Sequence, residues 1–564
     1  MKRIASFSAL FSLSIALPAV SGTCVWTGAG DGTTWTDAAN WDADAVPGAA
    51  DDVVFPDTLV AALTVSLGTD ALEVGSITSL APVAVKLGSA ATPALACADY
   101  VLGEGAASLT VAANQALTYT CECTVAADAT LSFTYVSGTG DLVKNGPGTL
   151  EFLYKEDGRT GGATTVNEGT LLFGNKNQLG SALTVGDGTH DAIVYCTWGQ
   201  SWNCNHFFCN GHAQVVVNDH GVLDLQTKSN TNNTSSFSID NFCVEAGGAF
   251  HSGSFNILCN GNLGYNYVRG TFTSTKKGIL GLTSSWLVVP DTHVGRVEYN
   301  GTVRSQYKYS NGALYGRLDV GDIPDEPVDL WFKGPLISAW DSRDGFDKYG
   351  AGTLRLSSGA STFGGRSPSM GQLRIYEGTV LCDNESGNAT GLSTVRVYPG
   401  ATLGGTGFLC CPTATPTYSG EAANMTNAVL YATGSSTAPA VIAPGSVDEE
   451  TGTPVYGTLS IGGSGFNSSV SLGAYSTLRI ATGADDACDA LAVTGTLDLA
   501  AADTRLEVTV SPDTDGGVYT IVSATEGIHG SFAETDLTGF ARIRQTETAI
   551  LLDVPFPGTV LIVQ

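Results

Sequence analysis

Two stretches of the chain, KNGPGTLEF from Lys144 to Phe152 and KYGAGTLRL from Lys348 to Leu356, are written in one pattern. A unit this short cannot bury an apolar face by itself, so its recurrence demands stacking on similar units. In the first copy, Leu150 and Phe152 fall on one side of a strand, with Thr149 and Glu151 on the other. In the second, Leu354 and Leu356 take the inward places and Thr353 and Arg355 the outward ones. Exchange of Glu for Arg outside, with large apolar residues kept inside, is what a half-buried strand allows. Gly146 and Gly148, matched by Gly350 and Gly352, suit sharp corners.

Each copy continues in kind, as GGATTVNEGTLLF from Gly161 to Phe173 and as GQLRIYEGTVLC from Gly371 to Cys382. Further echoes are GATL at Gly400, GTLSI at Gly457 and GTLDL at Gly495. Strand, corner, strand and return fit one coil of roughly 20–30 residues in a β-solenoid. Gly supplies 70 of the 564 residues and only 14% are charged, which suits short strands joined by tight turns and excludes a disordered chain. The fold expected is all-β: an elongated parallel β-helix with an irregular, β-rich middle region.

These motifs resemble the autotransporter-associated β-strand repeat proteins, whose repeats run as K-x-G-x-G-T-L, then T-V-x-x-G-T-L, then a short G-A-T-L strand. The segment from Cys24 to Phe55, CVWTGAGDGTTWTDAANWDADAVPGAADDVVF, is similar to the Trp-rich opening of that family. DALAVTGTLDL, Asp489 to Leu499, and GGVYTIVSATEGIHGSFAE, Gly516 to Glu534, resemble the closing part of autotransporter passengers. The likeness covers roughly residues 22–188 and 345–553. It implies a parallel β-helix on the cell exterior and brings no catalytic residues. No membrane barrel is expected at the C-terminus, since eleven residues after Asp553 leave no room for its strands. Surface attachment is therefore expected to come from a separate outer-membrane or export partner, or from the short tail.

Residues 1–21 read as a signal peptide, with Lys2 and Arg3 before an apolar run and Pro18 ahead of small residues. Once it is removed, no transmembrane segment is expected, and the protein is expected to be secreted or held at a bacterial cell surface. A net charge of −28 argues against a nucleic-acid partner. Thirteen Cys is an odd number at irregular spacing, which favours small buried hydrophobes over a disulfide framework. Cys382, for example, stands where Phe173 stands in the first copy. Cys121, Cys123 and the Cys410-Cys411 pair have no reading from the sequence.

The expected divisions are residues 22–140 with the Trp motif, 141–188 and 345–410 with the two repeats, and 411–564 as the passenger-like end. Between the repeats, residues 189–344 leave the pattern and hold five of the eight Trp. This middle region is either a run of degenerate coils or an inserted module. It includes Cys204, His206, Cys209 and His212, whose atoms suit zinc but whose spacing matches no standard site; burial or a disulfide is the preferred reading. Asp51-Asp52 and Asp485-Asp486 could hold Ca²⁺, yet carboxylates on Gly-rich turns are usually solvated. Asp341, Arg343 and Asp344 form an ordinary charged corner. No nucleophile elbow, metalloprotease helix or phosphate loop occurs. No catalytic, metal or cofactor residue is therefore assigned and no cofactor is expected. The function expected is a non-catalytic structural or adhesive role toward a glycan or other cell-surface ligand. A β-helical polysaccharide lyase or hydrolase is the alternative. The middle aromatics, Trp202 and Phe207 among them, are read either as a recognition surface or as core.

Overall fold

Alternating apolar residues bounded by glycine corners become short parallel strands, each hydrogen-bonded to its counterpart one coil earlier and one coil later. A computed structural model describes residues 21–89, 93–153, 159–174, 178–197, 208, 213–225, 236–259, 264–282, 285–305, 315–338, 345–364, 371–409, 429–463 and 468–556. Strands account for 55% of the described residues, which contain no α-helix, only a 3₁₀ turn at Ala38–Asn40. The strands are wound into a parallel β-helix. The leader expected at residues 1–21 falls almost wholly outside the described residues. Among the described residues, no helix is long and apolar enough to cross a membrane.

One strand per coil builds a first face, running by successive parallel pairings from Thr23–Val25 to Gly527–Gly530. A second strand per coil, after a corner, builds a second face. There Leu109, Leu131, Leu150, Leu171, Val194 and Leu223 stand in register, all buried. Each such side chain contributes roughly 1.5–3 kcal/mol by leaving water. Phe152 and Leu356 are buried as expected, and Cys382 pairs with Leu356 in the same inward column.

The coils run through the middle region without a break. First-face strands continue from Ala182–Val185 through Gln214–Val217, Asn241–Val244, Tyr265–Val268, Trp286–Val289 and Tyr315–Val320 to Gly345–Tyr349. From Ser236–Ile239 onward a third strand joins each coil, ending at Leu336–Ser338. The described strands of residues 189–344 thus stack as further coils of the same helix, and many of those coils carry one strand more than the repeats do. Varying return lengths hide this in the sequence.

The corners explain the lysine of the motif. Lys144 occupies an inward column beside Cys123 and Val166, but its Nζ turns to the corner. It donates to the carbonyls of Asn145 at 2.9 Å, Gly146 at 2.5 Å and, one coil on, Glu168 at 3.1 Å. Lys348 repeats this on Tyr349 at 2.8 Å, Gly350 at 2.7 Å and Glu377 at 3.2 Å. Burial pulls both ammonium groups down to about 8. The following glycines must be glycines. Gly169 and Gly378 have φ of 73° and 66°, and a Cβ on Gly378 would lie 2.5 Å from the carbonyl oxygens of Gly350 and Gly352.

Both ends are closed differently from the middle. At the N-terminus Trp26, Trp35 and Trp41 are buried edge to face, with centroids 5.0 and 4.9 Å apart. Buried Asn40 ties the loop above them, accepting from Gly30 and Gly32 and donating to Asp31. At the C-terminus the strand Ala549–Val554 pairs antiparallel with Gly517–Ala524 and Arg542–Gln545, which turns the chain back on itself.

Candidate functional site

Inward and corner positions are committed to stacking, so any surface chemistry has to sit on outward positions. On the first face these form two neighbouring rows. In one row, the register sets Tyr265, Trp286, Arg317, Asp347, Arg374, Arg396 and Tyr431 one above another. At about 4.8 Å per coil this row is roughly 30 Å long. The row beside it passes through Tyr267, Val288, Asp319 and Tyr349. It continues as a ring stack, Tyr349 on Tyr376 at 4.7 Å and Tyr376 on Tyr398 at 4.5 Å, tilted by only 8° and 13°.

The charged residues are held against the rings. Arg374 grips Asp347 through Nε–Oδ1 at 2.6 Å and Nη2–Oδ2 at 2.7 Å, and its guanidinium lies 3.6 Å from the Tyr315 ring centroid. Arg317 lies over Trp286 at 5.2 Å and Arg396 over Tyr431 at 4.7 Å. Asp347 is buried, and that burial pushes its carboxyl up while Arg374 works against the shift. Burial also raises Asp319, which Lys348 partly offsets, and pushes Tyr376 up to about 12. The strip therefore presents ring edges, phenol hydroxyls and fixed guanidinium groups.

A second cluster lies on the second face. Trp331 donates to Ser357 Oγ at 2.5 Å and has Arg296, Lys333 and Arg355 at 5.2, 4.1 and 5.3 Å from its ring. The hairpin of Ser446–Val447 and Pro454–Val455 covers it. Arg355, expected to face solvent, is buried there. It meets Asp383 at 2.9 Å and Glu449 at 3.0 Å, and donates to the Val447 carbonyl. Its outward direction is as read; a hairpin ninety residues later in the chain supplies the cover.

The sequence candidates are scattered. Asp51 accepts from the backbone of Gly22 and Gly48, bonds that hold it below the usual carboxylate range, whereas Asp52 accepts from Ser76. Asp485 and Asp486 are turn residues with φ of 56° and 59°, and Asp486 accepts from Tyr519. Cys204, His206, Cys209, His212, Asp341, Arg343, Asp344, Trp202, Phe207, Cys410 and Cys411 lie outside the described residues. Cys121 and Cys123 are buried neighbours on one strand, their sulfurs 4.0 Å apart. Among the described residues no group of three or more His, Cys, Asp or Glu is arranged to hold a metal ion.

Of the middle-region tryptophans, Trp286 and Trp331 are described and both lie on outer faces, while Phe237, Phe250 and Phe272 fill the core. The strip was missed by the sequence reading because it continues beyond residue 344. The signal was present: Asp347-x-Tyr349, Arg374-x-Tyr376 and Arg396-x-Tyr398 place a charge and a tyrosine on the same side of three consecutive strands. No protein-family model matches the chain, and no curated protein matches it in sequence.

Proposed function

We propose that the chain is an exported, non-catalytic β-helical protein of the cell exterior, structural or adhesive in role, with the first-face strip as its contact surface. The observation that carries this is the state of the charged groups. Asp347, at the centre of the strip, is buried with both oxygens bonded to the Arg374 guanidinium, an arrangement that holds it as an ion-pair partner rather than aiming it at a substrate proton. Its environment supports a structural ion pair rather than an acid or base. The leader-like N-terminus, the family likeness and the −28 charge support export and solubility. Anchoring would fall to a separate outer-membrane or export partner.

A second reading is kept because Asp319, Asp347, Arg374 and two tyrosines gather on one exposed face, as a polysaccharide lyase or hydrolase would require. Incubation of the full chain with plant, algal and bacterial polysaccharides distinguishes the two. No reducing ends above a buffer blank are expected. Release that vanishes with Asp319→Asn would replace the adhesive reading by the enzymatic one.

A further inference from the structure

Only 26 of the 564 residues are Lys or Arg, yet three of seven successive places in the outer row of the first face are Arg. Asp347 neutralises Arg374. Among the described residues no carboxylate lies within ion-pair distance of Arg317 or Arg396. On a chain with 54 Asp and Glu, two surface guanidinium groups without a hydrogen-bonded carboxylate are unusual, although Asp347 stands next to Arg317 in register and feels its charge. Each is laid over a ring, Trp286 or Tyr431, which fixes the plane of its fork before anything binds.

From this we infer that the strip binds a carboxylate-bearing polysaccharide lying along the helix axis, with Arg317 and Arg396 each receiving a uronate group. The inference rests on the adhesive reading above and names its ligand class. Arg317 and Arg396 are three coils apart, about 14 Å, so two separate sugars of one extended chain reach them. A planar fork matches a carboxylate with two parallel hydrogen bonds. Tyr349, Tyr376 and Tyr398 lie beside the row and offer hydroxyls to the sugar ring. Their facing sides are occupied by one another, at 4.7 and 4.5 Å, which leaves no gap between them into which bases could stack. That favours a glycan over a single-stranded nucleic acid.

Affinity electrophoresis of the full chain through gels holding polygalacturonate, the same polymer methyl-esterified, or single-stranded DNA tests the idea. Retardation is expected with polygalacturonate alone, and it should weaken as salt rises. R317Q/R396Q should weaken it about tenfold with the melting temperature unchanged, and R479Q, at a paired arginine elsewhere, should not. R317K/R396K keeps charge and stem without the fork and should also bind more weakly. Equal retardation by the methyl ester would overturn the role of charge while leaving adhesion to neutral glycan intact. Binding to DNA as tight as to polygalacturonate, or wild-type binding by R317Q/R396Q, would overturn the assignment. Cleavage of the polymer would instead remove the non-catalytic reading and leave the binding site standing.

Discussion

The two repeat copies share one corner and differ in what they show to solvent. In both, a buried lysine ties three carbonyls across two coils, and a positive-φ glycine follows. At the outward corner positions, however, the first copy sets Asn145 against Asn167, hydrogen-bonded at 2.8 Å. The second sets Tyr349 against Tyr376 as stacked rings. Stacking thus dictates the inside and the bend, while the outside is free to carry something else. Breaking the shared parts should hurt both copies alike, and changing the unshared parts should separate them.

The largest loss is expected at the corner glycines. A Cβ on Gly169 meets the carbonyl oxygens of Gly146 and Gly148, as one on Gly378 meets those of Gly350 and Gly352. Neither backbone carbonyl can move without breaking a hydrogen bond, since Gly146 and Gly350 accept from the buried lysines and Gly148 and Gly352 from Thr170 and Thr379 one coil on. Gly169→Ala and Gly378→Ala should each cost at least about 3 kcal/mol, read from thermal or denaturant unfolding. A loss at one site only would show that the copies do not share their corner.

Next comes the outward position of the GTL strand, where the copies diverge most. Arg355 is buried against Asp383, Glu449 and the Val447 carbonyl, whereas Glu151 is part-exposed and has no ion-pair partner among the described residues. Arg355→Ala strands two carboxylates and should cost about 3 kcal/mol. Glu151→Ala should stay within about 0.5 kcal/mol. Comparable losses would mean the hairpin does not clasp the second copy as described.

What the sequence disclosed follows the same division. Leu150, Phe152, Leu354 and Leu356 were legible because alternation with period two is local, and the corners because glycine marks them. The echoes show the limit of that signal: GATL lies on the second face, GTLSI in a separate six-stranded sheet and GTLDL on the first face. The motif marks a strand after a bend, not a face. Continuity through residues 189–344 was hidden because return lengths vary, so Val297 pairs with Leu330 but Leu354 with Val380. The cover over Arg355 depends on a contact no local pattern encodes. Lys144 and Lys348 were visible as a conserved letter of the two copies, but their cage is made of backbone carbonyls, which carry no side-chain signature.

A smaller effect should report on that cage. Each lysine titrates near 8 in the fold, against about 10.4 in the unfolded chain. Between those values the unfolded chain holds more protons, so the lysine contribution to stability rises with pH. Buried thiols act oppositely. Burial pushes Cys243 and Cys488 up to about 12, so their contribution is full below about 8.5 and is lost as pH rises above it. The wild-type curve mixes both, and comparison with K144M/K348M isolates the lysines. The stability of wild type relative to this variant should increase from pH 8 to pH 10 by about 2 kcal/mol per lysine. A flat difference would mean that the ammonium groups are solvated.

The smallest change expected in stability is the exchange of the two outward ladders. Tyr349→Asn with Tyr376→Asn gives the second copy the corner surface of the first. A stacked aromatic pair contributes about 0.5–1.5 kcal/mol beyond its burial, and an amide hydrogen bond about 1 kcal/mol. The two nearly cancel, so the melting temperature should move by no more than a few degrees. The Tyr349–Tyr376–Tyr398 stack would be gone, however, and with it the hydroxyls beside Arg374 and Arg396. Retention on polygalacturonate should therefore fall while the fold persists. The reverse exchange, Asn145→Tyr with Asn167→Tyr, should also fold but gain no binding, because the first copy carries Val143 and Thr165 where the second carries Asp347 and Arg374. If either exchange unfolds the coil, the outward residues are part of the stacking code after all. The strip would then be a consequence of the fold, and its arginines would have to be explained by stability.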